Sequence, residues 1–186
     1  MFSRPDVEAR IAAACAEMSA YCGEFIAERR QVDRGDLLPV MLGGEFTDRE
    51  ASGFCQLLVI AGQATTTNLI GNLLALLLEH PDQMALLRAD PGLIPNAIEE
   101  GLRLHSQIRK LERIAREDTR IGDVEIRAGD FMALWLAAAN RDPRRIDRPE
   151  TFDVTREKIP HVGFGTGIHM CIGNALARLE ARVLFR

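Results

Sequence analysis

Apolar positions recur with a helical period over residues 6–30. Val7, Ile11, Cys15, Met18, Cys22, Phe25 and Ile26 fall on one stripe, and Arg10, Glu17, Glu24 and Glu28 face away from it. The spacing predicts one amphipathic helix. Residues 33–35 break it, a short helical piece is expected over 37–42, and Gly43-Gly44 ends that piece. Thr47-Asp48-Arg49-Glu50 then has the form of a capping box, in which a hydroxyl and a carboxylate each satisfy an orphan N–H of a first helical turn. It opens a long helix that Glu79-His80-Pro81 closes. A helix of about 30 residues is ~45 Å long, more than a small domain's diameter, so it is expected to run through the centre of something larger. Another helix is expected over 93–104. Segments 111–115, 120–122 and 124–126 alternate like short strands, with Gly122-Asp123 suited to the hairpin turn between the last two. Residues 131–139 are apolar throughout, 140–159 are irregular around Pro143 and Pro149, and helix resumes after Gly173. The final residues, 181–186, carry no helix-ending signal, as if the chain were cut inside a helix. The pattern predicts a mainly α fold with a small β portion.

Residues 51–78 contain no charged side chain, which makes them long enough to cross a bilayer as a helix. Their polar load (Ser52, Gln56, Gln63, Thr65, Thr66, Thr67, Asn68 and Asn72) would be penalised in hydrocarbon, and a buried core helix is expected instead. With 47% hydrophobic residues the chain has material for one sizeable core. The 23 basic and 27 acidic residues give a formal charge of −4, so no global basic field exists to hold nucleic acid or an anionic membrane. Cys15, Cys22, Cys55 and Cys171 form no Cys-x-x-Cys pair, and the amino terminus lacks a secretory signal pattern. A reducing, cytoplasmic setting is expected.

The chemistry concentrates in Phe164-Gly165-Thr166-Gly167-Ile168-His169-Met170-Cys171-Ile172-Gly173. Glycines permit tight turns and close approach of backbone to a flat ligand. A cysteine just ahead of a helix receives backbone N–H groups and the positive end of the helix dipole, both of which favour the metal-binding thiolate. A lone cysteine is more commonly a small buried hydrophobe, but the surrounding run points to a cofactor cradle. A zinc site built on His161, His169 and Cys171 lacks a fourth ligand and the usual paired spacing.

The pattern Phe-x-x-Gly-x-His-x-Cys-x-Gly resembles the haem-binding signature of the cytochrome P-450 family. Three more segments resemble that family in the same order: Ala61-Gly62-Gln63-Ala64-Thr65-Thr66 its oxygen-binding central helix, Glu100-x-x-Arg103 its internal ion-pair helix, and the run from Pro149 to Arg156 the segment preceding the haem loop. The resemblance implies a partial cytochrome P-450 fold with a long central helix and a haem-binding loop. Residues 1–186 would be the carboxy-terminal haem-binding part of a single domain of the bacterial soluble type, incomplete at both ends.

It further implies that haem b (iron protoporphyrin IX) is the cofactor and Cys171 its metal ligand. Phe164, Gly165, Gly173 and Gly62 would line the cofactor, and His169 and Arg113 would meet the propionates. Glu100 and Arg103 would form a scaffold network with Arg156. Thr65 would be the catalytic hydroxyl that organises proton delivery, although Ala64 stands where the family usually has an acid. Arg141, Arg144, Arg145, Arg148, Arg178 and Arg182 would offer a docking face to a ferredoxin fed by an NAD(P)H-dependent reductase. The implied activity is insertion of one oxygen atom from O₂ into a small organic substrate. Ala64 motivates a peroxide-using or reductive alternative, and an inactive truncated haem-binding fragment is the non-enzymatic one.

Overall fold

The structure is a computed structural model that describes residues 4–32, 34–35, 39, 43–44 and 46–186. Apart from Pro39, the helical piece expected over 37–42 lies outside the described residues. The helices are α1 (Pro5–Arg29), α2 (Asp48–Glu79), α3 (Pro81–Ala89), α4 (Ile94–Leu104), α5 (Leu136–Ala139) and α6 (Asn174–Leu184). The strands are β1 (Leu111–Ile114), β2 (Thr119–Ile121), β3 (Val124–Ile126) and β4 (Phe131–Leu134). The chain divides into two compact units, residues 1–63 and 64–186.

In the first unit, α1 opens on Pro5, whose missing N–H costs nothing in a first turn, with Asp6 and Glu8 against the positive end of the helix dipole. Its predicted apolar stripe is covered only near the carboxy end, where Cys22 and Ile26 are buried together with Ala51, whereas Val7, Ile11 and Phe25 are exposed. The capping box is present. Thr47 N–H donates to Glu50 Oε2 at 2.9 Å, and Glu50 N–H donates back to Thr47 Oγ1 at 3.3 Å. Arg30 Nε donates to Asp48 Oδ1 at 2.9 Å, joining the end of α1 to the start of α2.

The second unit is built on α4, whose Ile94, Ala97, Ile98 and Leu102 pack with Leu69, Leu73, Leu76 and Leu77 of α2. Leu87 of α3, Ala181 of α6, Phe152 and Val154 complete that core. Gly101 permits the close approach of α4 to α2, since a Cβ there would lie 3.2 Å from Leu73 Cδ1. Pro81 both closes α2 and is the first residue of α3, a position proline favours. β2 and β3 form the expected hairpin, with Ile121 opposite Val124 and Gly122 at φ 60° in the turn. β1 pairs antiparallel with β4, Arg113 opposite Met132, so the apolar run 131–139 divides into a strand and a short helix.

One expectation needs correction. α2 is not buried along its length: Leu69, Leu73, Leu76 and Leu77 are, but Leu57, Val59, Ile60, Leu74 and Leu78 are exposed. The stripe that packs on α4 is buried, and near the start of α2 so is Ala51. By length and composition alone, α2 would be able to cross a membrane.

Candidate functional site

The segment from His161 to Gly173 forms one hydrogen-bonded loop leading into α6. Gly165 N–H donates to the Val162 carbonyl at 2.9 Å, Cys171 N–H donates to the Phe164 carbonyl at 2.9 Å, and Met170 N–H closes a 3₁₀ turn onto Gly167 at 3.1 Å. Gly165 and Gly167 adopt φ 72° and 65°, the left-handed region that costs a side chain ~1–2 kcal/mol. A Cβ on Gly165 would also stand 3.4 Å from the His169 carbonyl, and one on Gly173 would stand 4.0 Å from Cys171 Sγ. Phe164, Gly165, His169, Cys171 and Gly173 are therefore brought together. Cys171 is exposed. The apolar side chains beside it are exposed too: Ile168 is 98% accessible, Ile172 74% and Leu176 58%. Asn174 Nδ2 donates to the Cys171 carbonyl at 2.6 Å, tying the cysteine to the start of α6.

A charged network is centred on α4. Arg103 donates to Glu100 through Nε at 2.7 Å and Nη2 at 2.8 Å, and both side chains are fully buried. Arg156 Nε donates to Glu100 Oε1 at 2.9 Å. The remaining donors are spent on backbone: Arg103 reaches the carbonyls of Asn140 and Thr151, and Arg156 those of Asp147, Arg148 and Thr151. These residues thus pin the irregular stretch 140–156 to α4. Arg148, at φ 46°, is held in that strained geometry with its own side chain on Asp153 at 3.1 Å.

A second network was not anticipated from the sequence. Glu99 accepts from Arg178 Nε at 2.6 Å and Nη2 at 2.9 Å, and lies 2.9 Å from His161 Nε2. His161 Nδ1 accepts from Gly163 N–H at 3.0 Å, so the ring proton sits on Nε2 and donates to Glu99. Burial raises the Glu99 pKa, but hydrogen bonds from Arg178 and His161 and the Arg178 charge outweigh it, holding the carboxyl at about 2. The Arg178 guanidinium lies 4.5 Å from the Phe164 ring centroid and donates to Asn174 Oδ1 at 2.8 Å. Asn140 Oδ1 accepts from Val162 N–H at 2.7 Å, while its amide nitrogen donates to Ser106 Oγ at 2.8 Å. A buried asparagine just after an apolar run was the available signal for that contact.

His161 is committed to Glu99 and Gly163, and among the described residues no cluster of three or more His, Cys, Asp or Glu could hold a metal ion. Of the six arginines read as a docking face, Arg178 serves Glu99, Arg148 serves Asp147 and Asp153, Arg144 serves Asp142, and Arg141 reaches the Leu104 carbonyl and Glu150. Arg145 and Arg182 are exposed and enter no ion pair among the described residues. His169 is exposed at the end of the 3₁₀ turn. Arg113, half-buried on β1, donates to the Glu112 carbonyl at 2.8 Å. Thr65 is half-buried on α2, one helical turn ahead of buried Leu69. Gly62, in the first unit, has open space where a Cβ would stand.

Comparison with known proteins gives this arrangement its family. The profile of the cytochrome P-450 family matches residues 92–186. The chain is 42% identical over 172 residues to the Putative cytochrome P-450 YjiB of Bacillus subtilis (strain 168), covering 90% of this chain and 43% of that protein. The crystal structure of P450BioI in complex with acyl carrier protein ligated by hexadec-9Z-enoic acid superposes with a TM-score of 0.92 at 41% identity, over 97% of this chain and 48% of that one. CYP109E1 from Bacillus megaterium in complex with corticosterone superposes with a TM-score of 0.94 at 35% identity, over 98% of this chain and 51% of that one. The chain spans about half the length of the relatives it matches. It belongs to the cytochrome P-450 family.

Proposed function

We propose that this chain supplies the iron-binding half of a haem-thiolate monooxygenase, with Cys171 as the ligand. Members of the family bind haem b, and the residues present fit that group. The observation that carries the reading is the exposed Cys171 flanked by Ile168, Ile172 and Leu176 on a loop whose backbone is otherwise internally bonded. Apolar side chains standing in water on an ordered loop gain about 25 cal/mol per Å² when a flat apolar face covers them. Gly165, Gly167 and Gly173 put no side chain in the way. Arg113 provides a cation and His169 a ring N–H donor for the two propionates.

Bound haem supplies the capacity to reduce and split O₂, which a thiolate ligand favours by electron donation. The protein's residues do the rest. Cys171 sulfur donates electron density, while the Glu100–Arg103–Arg156 network holds the stretch 140–156 that leads to its loop. Thr65 Oγ1 holds and passes a proton, with water as the donor, because Ala64 has none to give. The exposed Arg145 and Arg182 offer charge to an acidic ferredoxin, itself reduced by an NAD(P)H-dependent reductase. The fatty acyl and steroid ligands of the two neighbours support a small, largely apolar organic substrate.

A chimaera tests the proposal. This chain would replace the matching half of P450BioI, and the product would be assayed with acyl carrier protein carrying hexadec-9Z-enoic acid, reduced ferredoxin and ¹⁸O₂. One ¹⁸O atom per product, consumed with stoichiometric NADPH and lost in Cys171→Ser, is expected. Turnover with peroxide alone, and none with ¹⁸O₂, would contradict monooxygenation and favour the peroxide-using reading that Ala64 raises.

A further inference from the structure

The Glu99 carboxylate touches both ends of the cysteine loop. At the near end it accepts from His161, which in turn accepts from Gly163 N–H at 3.0 Å. At the far end it grips the Arg178 fork, and Arg178 Nη1 donates to Asn174 Oδ1 at 2.8 Å, while Asn174 Nδ2 donates to the Cys171 carbonyl at 2.6 Å. A continuous path of hydrogen bonds therefore runs from α4 to the cysteine. Gly163 allows the loop to sit down on α4, since a Cβ there would stand 3.2 Å from the Leu102 carbonyl. Glu99 is not part of the Glu100–Arg103–Arg156 network: the neighbouring carboxylate holds the stretch 140–156, and this one holds 161–178.

We infer that Glu99 is a positioning residue for Cys171, closing the loop mechanically and neutralising the Arg178 guanidinium, which is linked to the cysteine through Asn174. The inference rests on Cys171 being the iron ligand. Arg178 lies close enough to Cys171 for the two to interact electrostatically, and the carboxylate of Glu99 offsets that positive charge. Deleting the carboxylate leaves an uncompensated cation beside the ligand, which favours the more negative, reduced state of the bound iron. Deleting the cation does the reverse.

The test uses the full chain, with and without haem. In the haem-free chain, Glu99→Gln should speed amide exchange at Gly163 and Cys171 at least tenfold more than it speeds exchange in α4. In the haem-loaded chain, Glu99→Gln should raise the midpoint potential and Arg178→Gln should lower it, each by about a tenfold change in the reduced-to-oxidised ratio, or ~59 mV for one electron. The double variant should return near the parent potential, and Arg178→Lys should keep it, which loss of packing would not produce. Unchanged loop exchange in Glu99→Gln, or potential shifts of equal sign in the two single variants, would overturn the inference. Failure of the parent chain to show a thiolate-type carbonyl spectrum would instead defeat the ligand assignment, leaving the haem-free exchange result to judge the loop.

Discussion

Arg103 and Glu100, three residues apart on α4, are joined by parallel hydrogen bonds of 2.7 and 2.8 Å with neither side chain accessible to water. A buried pair is expensive to desolvate, and it is tolerable here because nearly every donor and acceptor is used: Arg156, Asp153 N–H and backbone carbonyls complete the set. Arg103→Ala should therefore cost about 3–5 kcal/mol, because it leaves the Glu100 carboxylate buried without its main partner. Urea unfolding of the haem-free chain measures this. A loss below about 1 kcal/mol would show that the network is not what ties the 140–156 stretch to α4.

The pH dependence of stability should carry the signature of Glu99. Its pKa is about 2 in the folded chain against 4.5 for a free glutamate, so the native state binds the proton less readily than the unfolded chain. The resulting stabilisation is complete above pH ~4.5 and is lost as pH falls towards ~2. Its size is on the order of 2–3 kcal/mol, the lower figure allowing for the pair's partial exposure. Glu99→Gln should accordingly be less stable than the parent at pH 7, with the gap shrinking as the pH is lowered from 4.5. A constant gap over that range would mean that the charge of Glu99 is not what stabilises the fold.

Gly167 isolates backbone strain from packing. It sits at φ 65° with nothing within 4 Å of where a Cβ would stand, so Gly167→Ala adds only the left-handed penalty of ~1–2 kcal/mol. Because the strain falls within the 3₁₀ turn that precedes Cys171, the predicted effect is weaker haem binding, by roughly fivefold to thirtyfold if the whole penalty opposes binding. Haem titration followed by absorbance checks it. Unaltered affinity would show that this turn need not be formed for haem to bind.

The parts of this fold legible in the sequence are those with short-range signatures. Thr47 and Glu50 announce a capping box that is present, Gly122-Asp123 announces a hairpin that forms, and Glu100 with Arg103 announces a shared helical face that is buried. What was missed depends on partners distant in sequence. Glu99 next to Glu100 reads as an ordinary solvated acid until α6 brings Arg178, 79 positions away, onto it. Arg178 is taken for docking charge by the same logic, since sequence shows a cation but not whether a carboxylate already holds it. α2 reads as a buried helix because the count of charges along it cannot distinguish the stripe that packs on α4 from apolar side chains, such as Leu57 and Ile60, that stay exposed. Pro81 hid α3 because one proline both ends one helix and starts the next.

The most direct test of the central claim is the absorption spectrum of the haem-loaded chain after reduction and addition of carbon monoxide, for the parent and for Cys171→Ala. Cys171 is the cysteine on the exposed face of the loop, and the others lie at positions 15, 22 and 55. The parent should show the displaced Soret band that distinguishes thiolate from histidine ligation, and Cys171→Ala should lose it while keeping the helical circular dichroism of the haem-free chain. An identical carbonyl spectrum in the two proteins would contradict Cys171 as the ligand to iron.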